Sequence, residues 1–119
     1  MILLDYKDSR PIYEQITERF KLLILKGVLG KDEQMPSVRS LAMELSINPN
    51  TIQKAYTELE RQGYIYTVKG RGSFVSDSSH LLEENREAIR LRFRQLYKEG
   101  RELGLTEQDF LKYLKEMEG

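Results

Sequence analysis

Four polar residues are spaced so that they would share one face of a helix: Asn50, Gln53, Lys54 and Thr57. Apolar residues at the i, i+3, i+4, i+7 spacing predict the buried face of the same amphipathic helix: Ile52, Ala55, Tyr56 and Leu59. The polar face offers two amides, a hydroxyl and one cation, but no carboxylate. In the major groove of DNA, asparagine and glutamine can bridge adenine, lysine can donate to guanine, and a threonine methyl can contact thymine. The alternative is an ordinary solvated helix surface.

A capping residue and a proline mark where this helix begins. The Asn48 side chain can accept an unpaired backbone N–H, and Pro49 occupies the first helical position, where no N–H is needed. A shorter helix is predicted after Pro36 and Ser37, and only residues 46–48 separate the two helices. Two short helices joined so closely must cross steeply around a small core, which predicts a helix-turn-helix.

A cationic hairpin is predicted after the second helix. Gly63 ends that helix, and the residues from Tyr64 to Val68 are rich in strand formers. The turn Lys69–Gly72 then leads into a second strand at Ser73–Ser76, so the hairpin has the position of a wing. Glycine lets the backbone approach a phosphate closely, and arginine suits the negative potential of a narrow minor groove. The alternative is a tight turn with two solvated cations.

Together these motifs resemble the winged-helix domain of GntR-type bacterial transcription regulators. The resemblance rests on the runs Pro36–Ala42, Asn48–Tyr56 and Gly70–Val75, and it extends from about Pro11 to Val75. It implies that the arginine at the position of Arg39 reaches DNA. That arginine also lies near a helix N-terminus, which favours a phosphate contact, with a guanine contact as the alternative. Many members of the family have an arginine where this chain has Pro49, so no base preference is carried over.

The motif and the resemblance define one set of residues expected to contact DNA. The set comprises Ser37, Arg39, Asn48, Asn50, Thr51, Gln53, Lys54, Thr57, Lys69, Gly70, Arg71 and Gly72. Elsewhere in this region, a helix opening at Pro11 and ending at Gly27 is expected to supply core. The segment Val28–Gln34 is expected to be a loop.

The C-terminal region has a different apolar period. Leucine or isoleucine recurs every seven residues, at Leu82, Ile89, Leu96 and Leu103. A seven-residue period predicts a helix that packs against another helix. Gly104 ends this helix, Thr106 and Asp109 can cap a last one, and Phe110, Leu111, Leu114 and Met117 form its inner face.

Two helices cannot bury these seams alone, so a second copy of the chain related by a two-fold axis is the expected partner. The expected dimer residues are Leu82, Ile89, Phe93, Leu96, Leu103, Phe110 and Leu114. Folding back on the chain's own winged helix is the alternative. A short two-helix tail is similar to the YtrA-like branch of the GntR family, which implies a dimerisation element without a large effector-binding domain.

Composition limits the remaining possibilities. The 119 residues allow an α+β, mostly α fold: a winged helix-turn-helix of three helices and a hairpin at 1–76, then the two-helix tail at 77–119. Nineteen basic and nineteen acidic residues cancel, which argues against indiscriminate binding to polyanions. No apolar run could span a membrane and the start is no signal peptide, so a cytoplasmic protein is expected. There is no cysteine and His80 is isolated, so neither a cofactor, a metal nor an enzymatic activity is expected.

The resulting hypothesis is a homodimeric, sequence-specific DNA-binding regulator that recognises an inverted-repeat operator. Repression is the expected outcome from the resemblance. The rival hypothesis is a winged helix used for protein interaction without sequence-specific DNA binding. A small-molecule effector is a third possibility, but the tail is too short to enclose a pocket of the usual ~300–1,000 Å³ within one subunit.

Overall fold

The computed structural model describes residues 4–118 of the chain. Within that range the elements are α1 (Ile12–Leu25), α2 (Val38–Leu45), α3 (Pro49–Arg61), β1 (Ile65–Val68), β2 (Gly72–Val75), α4 (Ser79–Glu102) and α5 (Glu107–Glu118). The two strands form an antiparallel hairpin in which Ile65 pairs with Val75 and Val68 pairs with Gly72. The chain divides into two compact units, Met1–Leu82 and Glu83–Gly119. The expected domain boundary between residues 76 and 77 stays a prediction.

The first unit is held together by a core in which the helix-turn-helix packs on α1. Phe20 and Ile16 of α1 and Ile52 and Leu59 of α3 are fully buried, so the stripe predicted along each helix does face inward. The Phe20 ring packs edge-on against Tyr56, with ring centroids 5.9 Å apart. This packing fixes α3 on α1 and leaves the opposite face of α3 in solvent.

Tyr56 also ties α3 to the entrance of α2. Its hydroxyl donates to the carbonyl oxygen of Pro36 over 2.7 Å. Burial raises the pKa of the Tyr56 hydroxyl above its ordinary value, so the group remains a protonated donor. A buried hydroxyl with its hydrogen bond made stabilises the native arrangement, because leaving the same group unpaired would be costly. This bond constrains the angle between α2 and α3, because it links the middle of α3 to the residues just before α2.

The turn between α2 and α3 depends on a left-handed residue. Ser46 has φ 55° and ψ 46°. The Ser46 N–H donates to the carbonyl oxygen of Met43 over 3.3 Å, and the Ile47 N–H donates to that of Ala42 over 3.0 Å. These are the two bonds of a Schellman ending, a motif in which glycine usually takes the left-handed position. The serine therefore keeps some backbone strain in the turn that aims α3.

Replacing Ser46 with glycine is expected to stabilise the first unit. A left-handed conformation costs an L-residue ~1–2 kcal/mol, and the greater unfolded-state freedom of glycine offsets only part of that cost. We expect Ser46→Gly to raise the free energy of unfolding by about 0.5–1 kcal/mol, measured by urea denaturation. Ser46→Ala is the matched control, since it removes the hydroxyl but keeps the strain. Equal stability of the two variants would contradict a strained turn.

A third segment joins the hairpin. It lies at the end of the stretch that the sequence predicts to be a loop. Gln34 forms an antiparallel bridge with Phe74. The Met35 N–H donates to the Ser73 carbonyl oxygen over 2.8 Å, and the Asp32 N–H donates to that of Val75 over 2.7 Å. The expectation of a loop over Val28–Gln34 was therefore wrong at its end. The free edge of β2 needs backbone partners, and this segment supplies them without any apolar alternation to reveal it.

The second unit pairs α5 with the end of α4. Gly104 has φ 89°, and the Leu105 N–H donates to the Gly100 carbonyl oxygen over 2.9 Å, as expected of a Schellman ending. The Thr106 N–H then donates to Asp109 Oδ2 over 2.8 Å, and the Asp109 N–H donates back to Thr106 Oγ1 over 3.2 Å. These bonds lower the pKa of the Asp109 carboxyl. The predicted cap of the last helix is thus a complete capping box.

Gly100 allows the two helices of this unit to approach closely. A Cβ atom at this position would collide with the Phe110 ring and lie 3.3 Å from Leu105 Cδ1. The Phe110 ring also packs on Tyr97, with centroids 4.9 Å apart.

No helix within residues 4–118 is long and apolar enough to cross a membrane.

Candidate nucleic-acid interface

The start of α3 is fixed by its cap. Asn48 Oδ1 accepts the Asn50 N–H over 2.8 Å, and Pro49 occupies the first turn, as the sequence predicts. The cap uses the side-chain oxygen of Asn48, so its amide NH₂ is the group that is left for another partner. The same cap holds Asn50 at the tip of the helix, where its side chain is exposed.

The outward face of α3 carries the predicted polar residues. Asn50, Gln53, Lys54 and Thr57 are all exposed, opposite the buried side chains that pack on α1. Gln53 Nε2 donates to Thr57 Oγ1 over 3.2 Å, one turn further along. This bond orients the glutamine amide along the helix while its oxygen stays free to accept. The face therefore presents both donors and acceptors.

The Glu58 carboxylate lies beside this face and is paired with a cation. Arg61 Nε donates to Glu58 Oε2 over 2.9 Å, and Gln62 Nε2 donates to Glu58 Oε1 over 2.7 Å. The bonds from Arg61 and then Gln62 lower the pKa of the Glu58 carboxyl to about 2. Glu58 is consequently ionised at any physiological pH, but its charge is paired with Arg61. A polyanion approaching the first turns of α3 would meet little repulsion from it.

Two of the predicted residues, Thr51 and Lys54, lie along the edge of α3 that faces α1. Thr51 is only half exposed, and together with Asn50 and Lys54 it lines an open groove whose other wall is Pro11–Tyr13. The Lys54 ammonium lies 4.0 Å from the centroid of the Tyr13 ring. Tyr13 was not identified from the sequence, because no local pattern connects the first turn of α1 with the middle of α3.

The start of α2 presents the other predicted helical residues. Ser37 Oγ accepts the Ser40 N–H over 3.0 Å and caps the helix, so its hydroxyl acts first on the backbone. Arg39 follows in the first turn with an exposed side chain. Among the residues the structure describes, no carboxylate forms an ion pair with Arg39. An exposed guanidinium at a helix N-terminus is suited to bind an anion.

The tip of the wing is a tight, glycine-dependent turn. The Arg71 N–H donates to the Val68 carbonyl oxygen over 2.9 Å, and Gly70 takes φ 79° within that turn. Lys69 and Arg71 are both exposed. The hairpin thus presents two exposed cations on a short turn, as the sequence predicts, and the space beside Gly70 is open.

Gln34, which lies outside the hairpin, contacts the backbone of this tip. No local pattern in the sequence indicates this contact. Its Nε2 donates to the Arg71 carbonyl oxygen over 2.9 Å. A Cβ atom on Gly72 would lie 3.1 Å from the same nitrogen, and the φ of 111° at this position is one that favours glycine. At the base of the hairpin, the Tyr66 hydroxyl donates to Asp32 Oδ1 over 2.7 Å and its ring stacks on Phe74. That hydrogen bond raises the pKa of Tyr66.

Apolar side chains of the second unit are left in solvent by the single chain. Ile89, Phe93 and Leu96 are each 52–59% exposed, and Leu103 is 85% exposed. Between α4 and α5, Phe93, Tyr97, Phe110, Leu111 and Leu114 line an open apolar groove. Leu82, the first residue of the predicted seam, is half-buried and belongs to the first unit. A contiguous exposed apolar surface of this kind marks an interaction site.

The exposed side chains of residues 4–118 bear on which ligands this surface could take. No group of three histidine, cysteine, aspartate or glutamate side chains within this range could hold a metal ion. The exposed polar and cationic groups described above are instead suited to contacts with a polyanion and with base edges.

Comparisons with known proteins agree with this geometry. Residues 12–75 match a family model described as bacterial regulatory proteins, gntR family. The HTH-type transcriptional repressor YtrA of Bacillus subtilis (strain 168) is 40% identical over 119 residues, which cover 98% of this chain and 92% of YtrA. A GntR family transcriptional regulator from Listeria monocytogenes is 32% identical with a TM-score of 0.75, covering 95% of this chain and 98% of that one.

Some of the similar structures are complexes with an operator. The crystal structure of AraR(DBD) in complex with an operator is 31% identical to this chain, with a TM-score of 0.55. The match covers 62% of this chain and 89% of the AraR chain.

Proposed function

The chain belongs to the gntR family of bacterial regulatory proteins and is a DNA-binding transcriptional regulator, not an enzyme; we propose that it acts as a homodimeric repressor at an inverted-repeat operator. The observation that carries the proposal is the outward face of α3, where amides and a hydroxyl are exposed and the neighbouring Glu58 carboxylate is paired with Arg61. The helix that carries these groups is capped by Asn48 and packs on the core, and Gln53 is oriented by its bond to Thr57. Such a face is what reading base edges requires.

The proposed contacts follow from the size of a helix and of the major groove. An α-helix with its side chains is ~10–12 Å across and the groove is ~12 Å wide, so α3 can enter it with its outward face against the bases. We assign base contacts to Asn50, Gln53 and Thr57, whose side chains are exposed on α3. Arg39 would contact a phosphate at the start of α2. Asn48, Ser37 and Thr51 would act mainly by placing these groups.

The wing would add contacts beside the major groove. Lys69 and Arg71 are exposed cations on a turn whose glycines let the backbone come close to the sugar-phosphate chain. An arginine in a narrow minor groove is favoured by the negative potential there. Contacts of this kind position the protein on DNA and respond strongly to salt, but they carry little sequence information.

Dimerisation through the second unit is the remaining part of the proposal. Its support is the exposed apolar surface formed by Ile89, Phe93, Leu96, Leu103 and the groove residues Phe110 and Leu114. A second copy would cover that surface, and a two-fold axis would place two copies of α3 on half-sites about one helical turn apart. When such an operator overlaps a promoter, the bound dimer excludes the polymerase. A cytoplasmic location is part of the proposal, because that is where a bacterial regulator would meet its operator.

Electrophoretic retention tests the proposal directly. We expect the protein to retain the duplex that lies upstream of its own gene at physiological salt, and to release a scrambled duplex of equal length. Specific DNA binding at such salt typically exceeds non-specific binding ~10³-fold or more. Weak retention of both duplexes alike would contradict sequence-specific regulation and favour a winged helix used for protein contacts.

A further inference from the structure

Lys54 is held by an aromatic ring of another helix. Its ammonium nitrogen lies 4.0 Å from the centroid of the Tyr13 ring, well within the ~6 Å over which a cation is attracted to an aromatic face. Tyr13 belongs to the first turn of α1 and is half-buried. Its hydroxyl lies at the far end of the ring and donates to Glu14 Oε1 over 3.3 Å, so the face of the ring is what Lys54 meets.

The pairing directs the lysine away from the axis of the outward face. Lys54 emerges from α3 beside Asn50 and Gln53, yet its ammonium turns towards α1 and borders the groove that Pro11–Tyr13 and Thr51 also line. A helix nearly fills the width of the major groove. The edge of the helix therefore lies next to the sugar-phosphate wall, whereas its outward face meets the base edges.

The ring holds the cation without neutralising it. Glu58 is one turn beyond Lys54 on α3, at the spacing where a lysine and a glutamate commonly pair. That carboxylate is already bound by Arg61 and Gln62, and no ion pair of Lys54 is present among residues 4–118. Lys54 consequently keeps its full charge in an orientation set by Tyr13.

From this geometry we propose that Tyr13 is a positioning residue that holds the Lys54 ammonium at the α1 edge of α3, where it binds a phosphate of the operator backbone. The inference rests on the proposed function. It replaces the guanine contact that the sequence suggested for Lys54 and adds to the DNA interface a residue of α1. Because the lysine is oriented before binding, less side-chain entropy is lost when it meets the phosphate.

A double-mutant cycle between positions 13 and 54 tests this proposal. We expect Lys54→Ala to weaken binding to operator and scrambled duplexes by the same factor, and to lower the slope of log K against log[salt] by about 0.9. Tyr13→Leu should weaken operator binding by about threefold, because the lysine side chain must then be ordered when it binds. In the Lys54→Ala background, Tyr13→Leu should have no further effect. Tyr13→Phe, the matched control, keeps the ring and should bind as the original chain does.

Three results would overturn the inference. They are independent effects of the two substitutions, tighter binding by Tyr13→Leu, and a Lys54→Ala loss confined to the operator. Should Tyr13→Leu lose its circular dichroism spectrum, Tyr13→Met provides a second variant without the ring. The Lys54→Ala comparison requires no change at Tyr13. If the original chain itself fails to prefer the operator, the proposed function fails; a preserved preference with independent effects rejects only the role of Tyr13.

Discussion

Glutamate at positions 89 and 96 is expected to convert the proposed dimer into monomers. Both side chains are more than half exposed in the single chain, so the substitutions should leave each subunit folded. In the dimer they would place four carboxylates in an apolar interface. An unpaired charge removed from water costs several kcal/mol, so we expect the dimer dissociation constant of Ile89→Glu plus Leu96→Glu to rise by at least ~100-fold. Sedimentation at micromolar concentration measures the change.

A matched control separates interface from charge. Leu91 is about half exposed, and it lies with Gln95 on the opposite side of α4. Leu91→Glu plus Gln95→Glu adds the same charge away from the proposed seam and should still sediment as a dimer. Operator binding should weaken with the seam variant alone, because two half-sites joined in one dimer bind far more tightly than separate ones. Unchanged sedimentation of the seam variant would reject the assigned interface.

Gln53→Ala and Lys69→Ala are expected to affect operator binding in different ways. The Gln53 amide is exposed on the outward face of α3, so its loss should reduce discrimination between operator and altered sites by ~1–3 kcal/mol. Lys69 lies at the wing tip and should contact phosphate. Its loss should weaken binding to all sequences alike and lower the salt slope by about 0.9. Titrations of operator and single-base variants at several salt concentrations measure both effects.

The control for these substitutions is a cation outside the interface. Lys26 caps the far end of α1 and is exposed, and Lys26→Ala should leave both discrimination and salt slope unchanged. All three side chains are exposed, so none of the changes should alter the fold. Operator binding unaffected by either Gln53→Ala or Lys69→Ala would show that the assigned DNA face is wrong.

Local signals in the sequence predicted those features that depend on neighbouring residues. Asn48 and Pro49 predicted the start of α3, because a cap and a first-turn proline act within three residues of each other. Gly104, Thr106 and Asp109 predicted the end of α4 and the capping box of α5 for the same reason. The apolar period of α3 likewise predicted which side is buried, and therefore which side is left in solvent.

Features that depend on distant pairs were not predictable in this way. Gln34 donates to the Arg71 backbone across 37 residues, and Lys54 meets Tyr13 of the first helix. Hydrophobic period and turn composition describe a single element, so neither carries information about which side chains of two elements meet. In the second unit, the period identified an apolar face on α4, but a single chain leaves Ile89 and Leu96 exposed. Their partner has to be found by experiment.

Selection of binding sites from a pool of random duplexes tests the central claim most directly. The central claim is that two copies of α3, joined through the second unit, read bases in adjacent turns of the major groove. The account predicts enrichment of an inverted repeat with half-sites about one helical turn apart, and loss of that enrichment with Gln53→Ala. Recovery of duplexes with no shared sequence, or of a lone half-site without its inverted copy, would contradict the account.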